Sequence, residues 1–299
     1  MEELTNKTPS GLESIRNIAH NEICNAIGRS GIGGRKENQD SYSGFALESA
    51  VLLTVCDGMG GMAGGQTASR IAVTEIIQNL AEKKEGQTWE EAIKYSVESA
   101  NAAIYRRAMD EPKLRGMGTT ATVLVLTSEA AYLTHIGDSR IYQLRKGKKV
   151  FRTFDHSRVF EMVEQGLMTE EQARQSSFSN IITRALGIRP SIEMNIEKIP
   201  YKKNDRFILC CDGIWNTEAE PDMLNMFTSE VNTEKAISLI TEKVDSIGFE
   251  NGGEHDNLTI IIADMNKDSD YQYSCMQNIR KAISRIKFRK SLIKKNRNK

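Results

Sequence analysis

Short apolar runs separated by polar turns dominate the hydrophobic pattern of this chain. Five of them are rich in β-branched or aromatic residues and bounded by Gly, Asp, Asn or Ser, which is typical of β-strands. The predicted strands are residues 51–56, 119–126, 130–136, 207–211 and 258–262. Because few residues separate the second run from the third, the pair favours an antiparallel hairpin over a parallel crossover, which needs about a dozen residues or more.

Longer segments between these runs carry apolar residues at helical spacing. The three clearest stripes are Ala68, Ile71, Ala72, Ile76 and Leu80; Ala92, Val97, Ala100 and Ile104; and Ala236, Ile237, Ile240, Val244 and Ile247. Thr169 and Gln172 form a capping-box signature for a further short helix. Helices and strands come in clusters, so the pattern predicts an α+β fold with antiparallel sheets.

The charge distribution divides the chain into two unequal parts. The 299 residues contain 40 Lys or Arg and 40 Asp or Glu, but residues 271–299 hold ten basic and no acidic residues. The rest therefore holds 40 − 10 = 30 basic against 40 acidic residues. An acidic body argues against a nucleic-acid-binding catalytic domain, whereas the basic tail is free to contact an anionic partner.

Cysteine usage and hydropathy predict a cytoplasmic protein. The five cysteines include no Cys-x-x-Cys pair, which indicates neither zinc nor thiol redox chemistry. The N-terminus lacks the features of a secretory signal, and the longest apolar runs are too short to cross a bilayer.

Three segments follow from these patterns. We expect a polar lead-in at residues 1–22, a catalytic domain at 23–266 and a basic amphipathic tail at 267–299. In the tail, Met276, Ile279, Ile283 and Ile286 recur at helical spacing among Arg and Lys. Such a helix either packs on the domain or lies on an anionic membrane or an acidic partner.

The most informative feature is the position of four aspartates at the ends of predicted strands. Asp57 follows residues 51–56, Asp138 follows 130–136 after one glycine, Asp212 follows 207–211, and Asp256 precedes 258–262. One Asp-Gly pair is commonly only a turn, but four such carboxylates can be aimed at a shared point. Converging carboxylates need protons or cations. Two hard divalent cations about 3.5–4 Å apart form a known centre for displacement at phosphorus, so the pattern points to phosphoester hydrolysis.

Six motifs in this order resemble the bacterial branch of the protein phosphatase 2C (PPM) family. They are Gly34-Arg35-Lys36-Glu37-Asn38-Gln39-Asp40, Asp57-Gly58-Met59-Gly60-Gly61, Met117-Gly118-Thr119-Thr120, Gly137-Asp138-Ser139-Arg140, Asp212-Gly213-Ile214-Trp215 and Asp256-Asn257-Leu258-Thr259. The resemblance implies a four-layer αββα sandwich of two antiparallel β-sheets flanked by antiparallel helices. It also implies hydrolysis of phosphoserine and phosphothreonine on proteins by hydroxide at a binuclear Mn²⁺ or Mg²⁺ centre, opposing a Ser/Thr kinase.

The resemblance assigns a role to each acid in these motifs. It implies that Asp57 bridges the two ions, that the Gly58 carbonyl joins one of them, and that Asp212 and Asp256 bind directly. Asp40 is implied to act through bound water. Asp138 corresponds to a ligand of a third, weaker ion.

Arg35 matches the position that grips the substrate phosphate, for which a planar guanidinium is suited. Two departures change the implied chemistry. Met59 stands where animal relatives place a histidine general acid, so the leaving group needs another proton source. Asn216 replaces an aspartate that can support the third ion and predicts weaker binding there.

Residues 159–180 correspond to a flap that borders the substrate cleft, and His156 at its start is expected to be structural.

Two other classes of protein are alternatives to a metal-dependent phosphatase. A cysteine-based phosphatase needs an arginine six positions after its cysteine, and no cysteine here has one. A non-catalytic phosphatase-like scaffold that binds phosphoproteins stays open as the alternative, although such proteins lose metal aspartates that this chain retains.

Overall fold

The computed structural model describes residues 11–60, 64–176, 178, 181–230 and 232–271. Its strands in chain order are β1 (Arg16–His20), β2 (Cys24–Gly31), β3 (Asp40–Ala46), β4 (Ala50–Met59), β5 (Gly118–Thr119), β6 (Ala121–Thr127), β7 (Ala131–Ile136), β8 (Arg140–Arg145), β9 (Lys148–Arg152), β10 (Glu197–Ile199), β11 (Arg206–Cys210) and β12 (Leu258–Met265). The helices are α1 (Gly64–Ala81), α2 (Trp89–Asp110), α3 (Arg158–Glu164), α4 (Glu170–Arg174), α5 (Asp212–Trp215), α6 (Glu220–Thr228) and α7 (Thr233–Glu250), with a 3₁₀ turn at Pro112–Leu114.

The strands form two antiparallel sheets. One has the order β1-β2-β12-β11-β8-β9, and the other has the order β10-β7-β6-β4-β3, with β5 paired to β4. The predicted hairpin of β6 and β7 is confirmed, with Leu124 opposite Leu133.

Both faces of each central strand are buried, which explains the continuous apolar runs in the sequence. In β4, Val51 and Leu53 face the other sheet and belong to the core between the sheets. Leu52 points the opposite way, into the core beneath α1 and α2. Because strand side chains alternate with period two, one strand supplies both cores. A third core lies beneath α6 and α7 on the other side.

These layers give the predicted αββα sandwich, and the predicted fold class is confirmed. None of the helices in the described ranges is long and apolar enough to cross a membrane. The basic tail lies outside the described residues beyond Tyr271.

Several strands were not predicted. Within the expected lead-in of residues 1–22, β1 pairs with β2 and forms an edge of its sheet. The strand β2 contains Gly28 and Gly31, whose missing side chains admit Tyr42 and Leu12; a Cβ at either glycine would lie 2.5 Å from its neighbour. Glycines required for this close packing interrupt the apolar pattern on which strand prediction depends.

Candidate metal centre

A cavity of about 790 Å³ opens where the two sheets meet at one end of the sandwich. Five of the six predicted ligands line it, together with Arg35; these five are Asp57, Gly58, Asp138, Asp212 and Asp256. Asp40 lies buried nearby, 8% exposed. The topology therefore gathers residues that are up to about two hundred positions apart in the sequence.

Asp57 lies inside β4 rather than after it, which corrects the strand end expected at residue 56. The strand continues because Gly58 pairs with Thr119 of β5. Thr119 Oγ1 donates to the Asp57 carbonyl at 2.8 Å, and the Asp57 amide donates to Thr120 Oγ1 at 2.9 Å. The Met117-Gly118-Thr119-Thr120 motif thus holds the backbone that carries the Asp57 carboxylate.

Asp40 and Asp57 stand directly opposite each other on β3 and β4. Like charges at opposed positions of an antiparallel pair destabilise it. Burial, followed by the charges of Asp40 and Asp212, raises the pKa of Asp57 well above its ordinary value. This arrangement is unfavourable unless a proton or a cation compensates the charge.

The oxygens of two buried acids have no partner that satisfies them. Both carboxylate oxygens of Asp40 and Oδ1 of Asp212 are buried, and none of them accepts a hydrogen bond of normal geometry from a described residue. Burial raises the pKa of Asp40 to about 7, although nearby Thr259 and Cys211 lower it somewhat. Burial and the charge of Asp256 raise the pKa of Asp212 to about 6. Buried oxygen acceptors without donors fit a hard divalent cation, which takes all-oxygen ligands.

Gly58 lies where no side chain can fit. A Cβ on it would be 2.1 Å from the carbonyl oxygen of Gly65 at the start of α1. The Gly58 amide donates to the Gln39 carbonyl at 3.2 Å. The tight contact brings its backbone to the cavity wall, in keeping with the predicted carbonyl ligand.

Two buried side chains, Trp215 and Arg140, support the backbone of Asp138. Trp215 Nε1 donates to the Asp138 carbonyl at 3.0 Å, and the Arg140 guanidinium lies 3.3 Å from the centroid of the Trp215 ring. Arg140 in turn makes two 2.7 Å hydrogen bonds to Asp155. Burial raises the pKa of Asp138 well above its ordinary value, and the charge of Asp212 adds to the effect. The pair of Arg140 and Asp155 could not be predicted from the sequence, because the two residues meet only through the fold.

Arg35 contacts Asp256 in this structure. Its Nε lies 3.0 Å from Oδ1, and its terminal nitrogen lies 2.7 Å from Oδ2. Among the described residues, no group of three acidic, histidine or cysteine side chains already has the mutual spacing of a metal cluster. The Arg35 guanidinium occupies both carboxylate oxygens of Asp256, which is one of the predicted ligands.

The remaining predicted residues take different places. Met59 lines the main cavity and carries no proton to donate. Asn216 lines an adjoining cavity of about 400 Å³ that shares Arg35, Asp212 and Asp256 with the first. The structure therefore places Asn216 beside Asp212 and Asp256, where its neutral side chain adds no carboxylate.

His156 packs against His135 with ring centroids 4.4 Å apart. Its Nδ1 accepts from the Gly137 amide at 3.3 Å, and burial lowers its pKa to about 3. These contacts agree with a structural role. In the flap expected at residues 159–180, α3 and α4 enclose a small core of Val159, Phe160 and Ala173. The cavity wall nearest the flap is formed by Ile182, two residues beyond its expected end.

Comparison with known proteins agrees with this fold. The family described as protein phosphatase 2C matches residues 27–276. The serine/threonine phosphatase stp of Listeria welshimeri is 29% identical over 239 residues, which cover 78% of this chain and 92% of that protein. The serine/threonine protein phosphatase PstP of Mycobacterium tuberculosis is 32% identical over 249 residues, which cover 82% of this chain but 45% of PstP. This chain therefore matches less than half the length of PstP.

A solved structure carries the metal that the site predicts. The crystal structure of the PstP catalytic domain in complex with two manganese ions matches with a TM-score of 0.65 and 29% identity, covering 81% of this chain and 98% of that one. The sandwich and its acidic cavity define a phosphatase of the PPM fold. The chain belongs to the protein phosphatase 2C family.

Proposed function

We propose that this chain hydrolyses phosphoserine and phosphothreonine on proteins, using a binuclear Mn²⁺ or Mg²⁺ centre. Support comes from the names of its relatives, which are serine/threonine phosphatases, and from the two manganese ions of the PstP structure. The family and the relatives support protein serine/threonine phosphatase activity for this chain. The binuclear centre is the part inferred from the cavity residues and from the PstP structure.

The residues that would hold the two core ions are those that surround the cavity. We assign Asp57 as the bridging ligand, Asp212, Asp256 and the Gly58 carbonyl as direct ligands, and Asp40 as a ligand through water. Asp138 would hold a third, weaker ion together with Asp212. When bound, two such ions activate water at neutral pH and neutralise the charge that develops on the phosphoryl group.

The observation that carries this proposal is the burial of three acids without a cationic partner. Asp40, Asp57 and Asp212 all have raised pKa values, mainly because of burial, and each feels the charge of another acid. A fold maintains such an arrangement at a cost in stability, and strongly perturbed pKa values of this kind cluster at functional sites. Divalent cations relieve the cost.

Arg35 is placed to release the Asp256 carboxylate and bind a substrate phosphate in its place. In its ion pair with Asp256 the two side chains are 53% and 41% exposed, and an exposed pair of this kind contributes about 1 kcal/mol or less. Once a cation occupies Asp256, the guanidinium is free to make two parallel hydrogen bonds to a substrate phosphate. Arg35 therefore binds and orients the phosphate in this proposal.

The direct test is hydrolysis of a phosphothreonine peptide by the chelator-treated full chain, with MnCl₂ or MgCl₂ added back. We expect activity that depends on the metal and falls at least about a thousandfold in Asp57→Asn, since removing a bridging ligand disrupts both ions. Asp205→Asn is the matched control, because Asp205 is a buried aspartate at the opposite end of β11. Its activity should stay within about twofold of the wild type.

The same assay decides between the enzyme and the scaffold alternative. Absence of hydrolysis by the wild-type chain with either metal, combined with binding of the phosphopeptide, would establish the scaffold. Equal activity in Asp57→Asn and wild type would refute the assigned centre.

We also propose that a protein Ser/Thr kinase produces the substrate of this enzyme, because a phosphoryl ester on a protein hydroxyl requires such a reaction. Comparison of phosphopeptides from cells with and without the gene would identify the sites. Phosphothreonine or phosphoserine sites that rise on deletion support the proposal, and an unchanged set contradicts it. A contact of the basic tail with an anionic membrane or an acidic partner stays a prediction about residues outside the described ranges.

A further inference from the structure

Helix α7 contacts the active-site loops through His255, the residue before Asp256. His255 Nε2 lies 2.8 Å from Asp245 Oδ1 on α7, and the two side chains are only 13% and 3% exposed. The imidazole also packs edge-to-face on Phe249, with ring centroids 4.9 Å apart. Its Nδ1 is buried and has no hydrogen-bond partner among the described residues. The contact with Asp245 is therefore the hydrogen bond that orients the ring.

The sequence of α7 leaves room for this imidazole. A Cβ at Gly248 would lie 2.1 Å from Cγ of His255. Glycine inside a helix destabilises it by about 1 kcal/mol relative to alanine. The helix therefore carries a destabilising glycine at the position where the His255 ring packs, and any larger residue at position 248 would overlap that ring.

The backbone of His255 connects this contact to Arg35. The His255 carbonyl accepts a hydrogen bond from the Gly34 amide at 3.0 Å, and Gly34 directly precedes Arg35. Gly33 has φ +60°, and a Cβ there would lie 2.1 Å from the Asp256 carbonyl oxygen. The two segments thus run in close contact, and a shift of His255 must move both.

Asn257 fastens the same junction from the other side. Its side-chain amide donates to the carbonyls of Ile32 and Glu37 at 2.8 and 3.0 Å. Residues 255–257 therefore hold the loop that carries Arg35 at several points. The imidazole of His255 in turn fixes these three residues against α7.

We propose that Asp245 and His255 form a positioning pair that sets Asp256 and Arg35 relative to each other. The pair touches neither substrate nor metal; it acts through the backbone of residues 33–35 and 255–256. This inference rests on the proposed function, because it assigns Asp256 to a metal ion and Arg35 to the phosphate. It adds two residues outside the six sequence motifs to that site, namely Asp245 on α7 and His255 in the loop before β12.

The test compares His255→Ala and Gly248→Ala with the wild-type full chain. His255→Ala removes the ring, whereas Gly248→Ala keeps every polar group and displaces the ring by steric overlap. Calorimetry measures the Mn²⁺ dissociation constant, and steady-state kinetics on a phosphothreonine peptide gives KM and kcat. We expect both variants to bind Mn²⁺ about tenfold more weakly, as is usual when a residue behind a metal ligand is lost, and KM to rise severalfold because Arg35 is displaced.

Three further variants separate positioning from general stability. Asp245→Asn keeps the size and an oxygen acceptor, and it should retain Mn²⁺ affinity and KM within about threefold. Asp205→Asn removes a buried carboxylate more than about 15 Å along its strand from Asp212, and it should lower stability without changing either constant. Ser246→Ala removes an exposed contact with Glu250 on α7 and should change nothing.

The proposal is overturned if His255→Ala and Gly248→Ala lower the urea midpoint but keep Mn²⁺ affinity and KM within twofold of the wild type. His255→Asn takes the place of His255→Ala if the alanine variant does not fold. A wild-type chain that neither binds Mn²⁺ nor hydrolyses the peptide would overturn the proposed function together with this inference. Wild-type binding with unchanged variants would overturn the positioning pair only.

Discussion

Buried aspartates at the cavity and buried aspartates elsewhere in the sandwich are compensated in different ways. Asp155 and Asp205 are 1% and 0% exposed, and each makes two 2.7 Å contacts with an arginine, Arg140 in one case and Arg145 in the other. Asp40 and Asp212, in contrast, keep buried oxygens without a donor among the described residues.

This difference shows which part of the fold depends on protons or cations from solution. A buried carboxylate beside an arginine needs no ligand, because the arginine supplies both the opposite charge and the hydrogen-bond donors. The negative charge of a group of carboxylates without such a partner is compensated only when the group binds protons or cations. The same residue type therefore contributes to stability in one region and reduces it in the other.

The largest effect on stability is expected when a buried aspartate–arginine pair is broken. Asp155→Asn leaves the Arg140 guanidinium buried with an incomplete partner, which should lower the free energy of unfolding by about 3–5 kcal/mol. Urea unfolding in EDTA measures it. Asp110→Asn, at an exposed position at the end of α2, is the control and should change stability by less than about 0.5 kcal/mol.

The same substitution should have the opposite sign in the cavity. Asp57→Asn removes a charge that burial and neighbouring acids disfavour. In EDTA it should therefore raise the free energy of unfolding by on the order of 1–3 kcal/mol. Destabilisation of metal-free Asp57→Asn would contradict the contrast between the two regions.

The third prediction concerns pH. Asp40 and Asp212 have folded pKa values of about 7 and about 6, raised mainly by burial, against ordinary values of 3.8. The folded state then binds more protons than the unfolded state between pH 4 and 7, so this contribution to stability is greatest at low pH and is lost as the pH rises through that window.

Urea unfolding in EDTA at pH 5 and pH 7.5 tests the sign. We expect Asp212→Asn to be stabilising relative to wild type at pH 7.5 and much less so at pH 5. A difference between the two proteins that does not change with pH would show that the charge of Asp212 is already compensated.

The contrast between the two regions also explains how far the sequence could predict this molecule. The apolar runs of β4, β6, β7, β11 and β12 were readable because both faces are buried. The strand β3 was missed because its residues Asp40–Ala46 include few apolar side chains, and β8 was missed because it carries a buried arginine. Patterning detects apolar burial but not burial made possible by tertiary pairs.

The site shows the same limit. The aspartates could be found because each stands next to a predicted strand or in a recognisable motif. The pairing of Arg35 with Asp256 and the contact of His255 with Asp245 could not, since both join residues through the packing of loops. Cross-strand opposition of Asp40 and Asp57 likewise requires the register, which neither strand specifies alone.

The smallest expected effect is at the third ion. Asn216→Asp adds a carboxylate beside Asp212 and Asp256 in the adjoining cavity, and it should strengthen the weakest Mn²⁺ binding step severalfold, less than about 1.4 kcal/mol. Asn251→Asp adds the same charge elsewhere in that cavity. Calorimetric titration compares the two, and equal shifts would indicate a general electrostatic effect instead of a ligand.

Calorimetric titration of the chelator-treated chain with Mn²⁺ at pH 7.5 is the most direct test that the unpaired carboxylates form a metal centre. We expect at least two ions per wild-type chain, loss of the tight sites in Asp57→Asn and Asp212→Asn, and unchanged binding in Asp205→Asn. Tight binding that persists in Asp57→Asn, or that is lost equally in Asp205→Asn, would contradict the assignment of the unpaired carboxylates as the metal centre.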